Sequence, residues 1–232
     1  MRGLDVEAVN RDLERASPEE RLAFAVREFG SGLLFTSSFG AGSGVLLHLW
    51  SRVAPRLPVV FIDTGFLFPE TLAYRDMLVQ RLGLTLDVVR PDRPRTDFLR
   101  EHGDDIMVRD PDFCCAENKV APLGPRLATA TAWVSGLRRD QSDARRETPI
   151  LLPTADGPIK VHPLVTMTSS DVLEYMAAHD IPDHPLRSRG YLSIGCEPCT
   201  RAVEPGQDER AGRWAGQAKT ECGLHSLDSS QL

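Results

Sequence analysis

The chain has 232 residues, a formal net charge of −6 at pH 7, and a composition that is 41% hydrophobic and 26% charged. This length suits one globular domain with an extension, and the apolar fraction is enough to bury a core. No apolar stretch approaches the roughly 18 residues of a membrane span, and the polar N-terminus does not resemble a signal peptide. The acidic balance argues against broad nucleic-acid binding, which needs a basic face. We therefore expect a cytoplasmic protein without membrane or nucleic-acid partners.

Strand-like and helical patterns alternate along the first 150 residues. The first 30 residues are predicted to be helical, and Ser17, Pro18 and Glu20 form a helix start signal with a capping box. Buried strands are predicted at 32–36, 58–63, 84–89 and 132–136, and one of the helices between them at 69–82. This alternation predicts a parallel sheet in an α/β fold, where ligands bind at the carboxyl ends of the strands.

Beyond about residue 150 the pattern changes. Residues 160–164 are predicted to form a short edge-like strand, and Thr168 is predicted to cap the helix that follows. From residue 181 onward Pro, Gly, Cys and charged residues dominate, so we expect a mobile tail. The chain is therefore divided into a helical segment at 1–30, an α/β domain at 31–200 and a flexible tail at 201–232.

Two loops that follow predicted strands are candidates for contact with a ligand. The loop 37–44 is rich in serine and glycine and precedes a helix, so its backbone N–H groups can approach an anion. It lacks the Gly-Lys-Ser/Thr ending of a Walker A loop and is equally compatible with an ordinary tight turn. Asp63 follows the second strand and suits contact with a ribose or a base, or it only caps a turn.

Four arginines follow the strand predicted at 132–136. They are Arg138, Arg139, Arg145 and Arg146. Arginine binds phosphate and sulfate in a bidentate manner and stays charged. A run of charges is usually a solvated face, but the position beside Gly136 at the end of a buried strand favours an oxyanion site.

The five cysteines divide into four and one. Cys114 and Cys115 are adjacent, and Cys196 and Cys199 form a C-x-x-C pair whose spacing lets both sulfurs face one metal. Adjacent side chains diverge, so Cys114 and Cys115 need an adapted backbone to share a site. A redox pair is the alternative for C-x-x-C, and four thiolates suit either zinc or an iron–sulfur cluster.

Cys222 is the remaining thiol and lies in the predicted tail. Lys219 and His225 are close in sequence and would lower its pKa, which increases the thiolate fraction. Cys222 is therefore a candidate nucleophile, and a free surface cysteine is the alternative.

Taken in order, these motifs resemble one family, the adenylyl-sulfate and phosphoadenylyl-sulfate reductases of sulfate assimilation. The resemblance covers nearly the whole chain and is most specific at 190–201, 210–214 and 219–225. It implies an adenine-nucleotide α-hydrolase-like fold related to the ATP pyrophosphatases. It also implies that 31–200 binds the nucleotide and a cluster, and that 201–232 carries the catalytic cysteine.

The resemblance further implies an activity, the thioredoxin-dependent reduction of adenosine 5′-phosphosulfate to sulfite and AMP. The Cys222 thiolate would attack the substrate sulfur to form an S-sulfocysteine, and thioredoxin would release sulfite. Members with both cysteine pairs generally hold a 4Fe–4S cluster, so the implied metal ligands are Cys114, Cys115, Cys196 and Cys199. The residues assigned to substrate binding are Ser37, Ser38, Asp63, Lys119, Gly136, Arg138, Arg145 (or its neighbour Arg146), Arg210, Arg213 and His225.

The sequence departs from the family pattern at three places. Gly42-Ser43 replaces an acidic pair, Asn118 replaces an arginine and Met167 replaces a tryptophan. The alternatives to an adenylyl-sulfate reductase are a reductase of the 3′-phosphorylated substrate, an ATP-pyrophosphatase-type ligase and a zinc-stabilised nucleotide-binding module. We also expect a homo-oligomer.

Overall fold

The computed structural model describes residues 4–217, 219 and 221–224. The strands are β1 (Leu33–Thr36), β2 (Val59–Ile62), β3 (Leu86–Val89), β4 (Ala132–Val134), β5 (Leu151–Leu152) and β6 (Ile159–Val161). The helices are α1 (Val6–Leu13), α2 (Pro18–Phe29), α3 (Gly44–Val53), α4 (Pro69–Leu82), α5 (Arg95–His102), α6 (Ile106–Arg109), α7 (Pro111–Cys115), α8 (Ala121–Leu127) and α9 (Ser169–Ala178), and a π turn at Ala116–Val120 joins α7 to α8.

The six strands form one sheet in the order β3-β2-β1-β4-β6-β5. All neighbouring pairs are parallel except β5 and β6. The chain runs outward from β1 through β2 to β3 and then returns to β4 on the other side of β1. Loops at the carboxyl ends of β1 and β4 therefore diverge and leave a crevice between them, which is where open parallel sheets bind ligands. The predicted α/β fold with a parallel sheet is confirmed.

Local signals in the sequence set the bounds of several helices. Ser17 accepts a hydrogen bond from the backbone of Glu20, and the Glu20 side chain bonds back, so the predicted capping box of α2 is present. Helix α4 covers the predicted residues 69–82, with proline at its first position and Gly83 at φ 61° after its end. Proline lacks the N–H that the first turn would leave unpaired, and glycine adopts the left-handed conformation that ends a helix.

The N-terminal helices are attached to the sheet by a buried arginine. The Arg21 guanidinium donates to the carbonyl oxygens of Leu13, Glu14 and Pro163 and to the hydroxyl of Thr166. These four acceptors satisfy a charged group that is only 1% exposed. The segment predicted at 1–30 therefore packs onto the α/β domain through polar as well as apolar contacts.

A strand is present near the predicted residues 160–164, but the prediction that it lies at the edge is wrong. Strand β6 is buried and lies between β4 and β5, so the edge is the two-residue strand β5. Two residues are too few to produce an alternating pattern in the sequence. Asn10 of α1 covers this edge, since its side chain accepts from Leu151 N at 2.8 Å and donates to Leu151 O at 2.9 Å.

The described part of the tail is packed against the domain. Thr200 forms a β-bridge with Arg213, and Trp214 and Leu224 are 2% and 9% exposed. The predicted mobility of the tail stays a prediction. Over the described residues, we find no helix with the length and apolar character that a membrane crossing requires.

Candidate active site

A cleft with a cavity volume of about 240 Å³ opens at the carboxyl ends of the central strands. Ten of the residues predicted from the sequence to act in the site line it: Ser37, Ser38, Lys119, Gly136, Arg138, Arg145, Cys196, Arg210, Arg213 and Cys222. They come from five separate segments of the chain, which the fold brings to one place. The cleft is large enough for a small-molecule ligand and has both apolar walls and a polar end.

The loop after β1 forms one wall of the cleft. The Ser37 hydroxyl accepts a hydrogen bond from Phe39 N at 3.2 Å, and the buried Phe39 packs edge-on against Phe61. Gly42 has φ +73°, a conformation that favours glycine, and a Cβ there would meet Val172 at 3.1 Å. The family pattern has an acidic residue where this chain has Gly42, and an acidic side chain would strain this turn.

Asp63 does not line the cleft in this structure. Its carboxylate accepts from Gly65 N at 3.2 Å and forms an ion pair with Arg90 at 3.3 Å, which is the turn-capping role we considered as the alternative. The neighbouring Thr64 is buried and does line the cleft, and its hydroxyl lies 3.3 Å from Cys196 Sγ. Thr64 is thus a site residue that the sequence reading missed.

Only two of the four clustered arginines enter the cleft. Arg139 pairs with Glu14 on the N-terminal side, and Arg146 pairs with Asp143 at the surface. Arg138 and Arg145 are buried and line the cleft, which favours Arg145 over its neighbour Arg146 as the ligand contact.

Arg138 is already bound by protein groups. Its guanidinium donates to Asp140 at 2.9 Å, to the Ser169 hydroxyl at 2.9 Å and to Glu209 at 3.3 Å. These contacts connect the loop after β4 with the start of α9 and with the tail. Arg138 therefore orders the wall of the cleft, and its assignment to substrate binding stays a prediction.

The part of the cleft around Arg210 is strongly cationic. Arg145 donates two hydrogen bonds to Glu221, at 2.7 and 2.5 Å, and Arg210 donates to the same carboxylate at 3.1 Å. Arg213 stacks over Trp214, with its Cζ 4.4 Å from the ring centroid. Burial, together with the charge of Arg145, lowers the pKa of Arg210 to about 10. Positive charge thus exceeds negative charge beside Cys222.

Lys119 approaches this end from the π turn. Burial alone would lower the pKa of Lys119, but the nearby sulfurs of Cys196, Cys222 and Cys115 outweigh it and raise the pKa. The ammonium group is therefore held charged between the C-x-x-C segment and the tail. A π turn inserts one residue per turn, and such turns occur often at functional sites.

Three of the four paired cysteines lie close together. Cys114 and Cys196 are buried in one apolar cluster, which Cys199 joins from its rim. Burial, reinforced by the charges of Cys196 and Cys199, raises the pKa of Cys114 to about 11. Asn118 donates to Cys114 O at 3.0 Å and lies 3.7 Å from Cys114 Sγ, so the amide at this departure from the family pattern contacts the cysteine pair.

The fourth cysteine, Cys115, is coupled to the tail. A hydrogen bond with Cys222, followed by burial, raises the pKa of Cys115. Within the described residues, no group of three or more His, Cys, Asp or Glu side chains is arranged to hold a metal ion. Cys114, Cys196 and Cys199 share one cluster, whereas Cys115 lies next to Cys222.

Cys222 is half-buried in the wall of the cleft rather than free on the surface. Its predicted neighbour Lys219 forms an ion pair with Asp112 and lies 5.5 Å from the Trp214 ring centroid. The other predicted neighbour, His225, lies outside the described residues.

Comparison with known proteins identifies the family of this chain. A sequence model described as the phosphoadenosine phosphosulfate reductase domain matches residues 32–202. The adenosine 5′-phosphosulfate reductase of Streptomyces coelicolor is 42% identical over 220 residues, covering 94% of this chain and 92% of that protein. The phosphoadenosine 5′-phosphosulfate reductase of Gloeobacter violaceus is 43% identical over 225 residues, covering 95% and 93%.

Structural comparison leads to the same group of proteins. The phosphoadenylyl-sulfate reductase of Candida auris, solved as a phosphate complex, aligns with a TM-score of 0.74 and 27% identity. The alignment covers 85% of this chain and 96% of that one. The fold is an α/β fold of the adenine-nucleotide α-hydrolase-like type, with a mostly parallel six-stranded sheet. The chain belongs to the phosphoadenosine phosphosulfate reductase family.

Proposed function

We propose that this protein reduces adenosine 5′-phosphosulfate to sulfite and AMP in the cytoplasm, as part of sulfate assimilation. Relatives at 40–43% identity over nearly the full length carry the name adenosine 5′-phosphosulfate reductase, which supports this substrate. The observation that carries the proposal is the position of Cys222. This thiol lines the same cleft as Lys119, Arg145, Arg210 and Arg213, so a nucleophile lies beside a site for an oxyanion.

In the proposed reaction the Cys222 thiolate attacks the sulfur of the phosphosulfate. The bond between that sulfur and the bridging phosphate oxygen breaks, and AMP leaves with the bonding electron pair. The product is an S-sulfocysteine on Cys222. A thioredoxin-type dithiol then attacks the Cys222 sulfur and expels sulfite, and its second thiol resolves the mixed disulfide. The dithiol supplies both electrons, and Cys222 returns as a thiol.

The residues around Cys222 support each part of this scheme. Lys119, Arg210 and Arg213 bring positive charge to the place where the sulfonate and phosphate charges lie, and arginine suits these oxyanions. Fixed charges in a partly water-excluded cleft stabilise the transition state without reorganisation. The loop at 37–44 supplies close backbone approach for the nucleotide, because Gly40 and Gly42 leave no side chain in the way.

We further propose that Cys114, Cys115, Cys196 and Cys199 hold a 4Fe–4S cluster. The chemistry of the donors supports this, since Cys114, Cys196 and Cys199 share one cluster, Cys115 is adjacent to Cys114 in the chain, and a π turn follows Cys115. Burial raises the pKa of the Cys114 and Cys199 thiols, so both are protonated without metal, and metal binding would displace those protons. When bound, such a cluster supplies charge and rigidity beside the sulfate end. A colourless protein that carries stoichiometric zinc would contradict this assignment.

The proposal is tested by trapping the covalent intermediate. Wild-type protein mixed with adenosine 5′-phosphosulfate in the absence of a dithiol should gain one sulfonate group on the peptide that contains Cys222, as measured by mass spectrometry. Cys222→Ser should gain none and should form no sulfite, while it keeps the iron content of the wild type. Cys199→Ser serves as the matched control, because it should lose iron. Sulfite formation by Cys222→Ser at the wild-type rate would refute the proposal.

A second candidate function, reduction of the 3′-phosphorylated substrate, also has support. The relative from Gloeobacter violaceus carries that name at 43% identity, which equals the identity of the adenosine 5′-phosphosulfate reductase of Chelativorans sp.. Measuring kcat/KM for both substrates with thioredoxin as the donor separates the two functions. We expect the higher value for the substrate that lacks the 3′-phosphate.

A further inference from the structure

Glu221, the residue before Cys222, occupies two arginines that the proposed function assigns to the substrate. Its Oε1 accepts from Arg145 Nε at 2.7 Å, and its Oε2 accepts from Arg145 Nη2 at 2.5 Å and from Arg210 Nη2 at 3.1 Å. Two parallel bonds from one guanidinium to two oxygens are the arrangement in which arginine binds phosphate and sulfate. The carboxylate thus makes the contacts that an oxyanion ligand would make.

The cleft needs an anion at this position. The side chains of Arg145 and Arg210 are only 7% and 13% exposed, and Arg213 lies next to them in the cleft lining. Buried charges without a counter-ion are strongly destabilising, because little water remains to solvate them. In the absence of substrate the chain itself provides the counter-ion, and Glu221 is the carboxylate that does so.

We propose that Glu221 is a positioning residue that holds Cys222 in the unliganded cleft and is displaced from Arg145 and Arg210 when an anionic substrate binds. The exchange replaces one anion with another, so neither arginine is left without a partner. Because Glu221 and Cys222 are consecutive, movement of the carboxylate also moves the thiol. Entry of the substrate is thereby coupled to repositioning of the nucleophile. This inference rests on the proposed function for the identity of the anion and for the role of Cys222 as nucleophile.

The first test measures binding of inorganic sulfate and of AMP by calorimetry. Glu221→Gln removes the charge that competes for the arginines and keeps the shape of the side chain. We expect it to bind sulfate about tenfold more tightly than the wild type, since hydrogen bonds to charged groups are about twice as strong as neutral ones. Glu204→Gln, an exposed tail residue outside the cleft lining, changes the net charge equally and should bind like the wild type.

A purely structural role for Glu221 gives the opposite result. If the carboxylate only braced the two arginines, Glu221→Gln would bind sulfate equally well or more weakly, and the inference would be overturned. This readout does not depend on turnover. Absence of sulfite formation by the wild type would count against the proposed function and leave the exchange intact.

The second test measures the reactivity of the Cys222 thiol. In the absence of ligand, Glu221→Gln should increase the rate at which iodoacetamide alkylates Cys222 several-fold, with the modified peptide identified by mass spectrometry. Glu204→Gln should leave that rate unchanged. Equal alkylation rates in Glu221→Gln and the wild type would show that the carboxylate does not hold Cys222, which also overturns the inference.

Discussion

A single methyl group at Gly195 should displace the guanidinium of Arg213 from its position in the cleft. A Cβ at this position would lie 2.3 Å from Arg213 Nη2 and 2.5 Å from Arg213 Cζ, far inside van der Waals contact. Gly195 is not among the glycines with positive φ, so alanine is compatible with the backbone. Gly195→Ala therefore leaves the loop intact and forces the guanidinium to move.

The size of the effect follows from what Arg213 contacts. Moving its guanidinium away from Trp214 loses a cation–π contact worth about 1 kcal/mol, which weakens packing of the tail. Losing the charged hydrogen bond that we propose it makes to the substrate anion would cost about 1.5–3 kcal/mol. The second loss alone corresponds to a roughly ten- to hundredfold weaker affinity for adenosine 5′-phosphosulfate.

A double-mutant cycle tests whether Gly195→Ala weakens binding through Arg213. Affinity for adenosine 5′-phosphosulfate is measured by calorimetry in the Cys222→Ser background, so that no reaction occurs. Gly195→Ala should weaken binding when Arg213 is present and change it by less than about twofold when Arg213 is already alanine. Gly124→Ala is the control, because a Cβ at Gly124 meets nothing within 4 Å. An equal loss in both backgrounds would refute the reasoning.

Two further predictions concern stability. His162 and His184 are buried, and burial lowers the pKa of each to about 4. In the unfolded chain both histidines have a pKa near 6.5, so the free energy of unfolding is at its full value above that pH and is lower by about 2 kcal/mol per histidine at pH 5. Urea unfolding at pH 7 and pH 5 measures this decrease in the free energy of unfolding, which should be smaller in His162→Gln than in the wild type. Asn10→Ala should cost about 1–3 kcal/mol, because it leaves both backbone groups of Leu151 unpaired. A thermal unfolding midpoint equal to that of the wild type would contradict the proposed protection of the sheet edge.

The sequence predicted the fold well where local signals and burial agree. Helix α4 is bounded by a proline at its start and a glycine after its end, and both act through the backbone. The central strands are short apolar runs that only a buried parallel sheet explains. Strand β5 is not predicted, because two residues are too few to form a hydrophobic pattern. Without β5, the sequence places β6 at the edge of the sheet.

The sequence predicted which residue types form the candidate site, but it did not predict which side chains they pair with. Cationic residues that suit an anion stand out in the sequence. The carboxylates that bind these arginines do not stand out. Asp140 and Glu209 bind Arg138, and Glu221 binds Arg145, at sequence separations that range from two to 76 residues. Pairing over such distances is set by tertiary structure, which a single sequence does not encode in a readable pattern.

The contact between Cys222 and Cys115 has a consequence for the order of biosynthesis. These residues are 222 − 115 = 107 positions apart, and Leu224 adds an apolar contact to the same part of the domain. Domains fold while the ribosome still extends the chain, from the N-terminal side first. Cys222 therefore emerges after every strand of the described residues and after the other four cysteines, so the sheet against which it packs is synthesised before it.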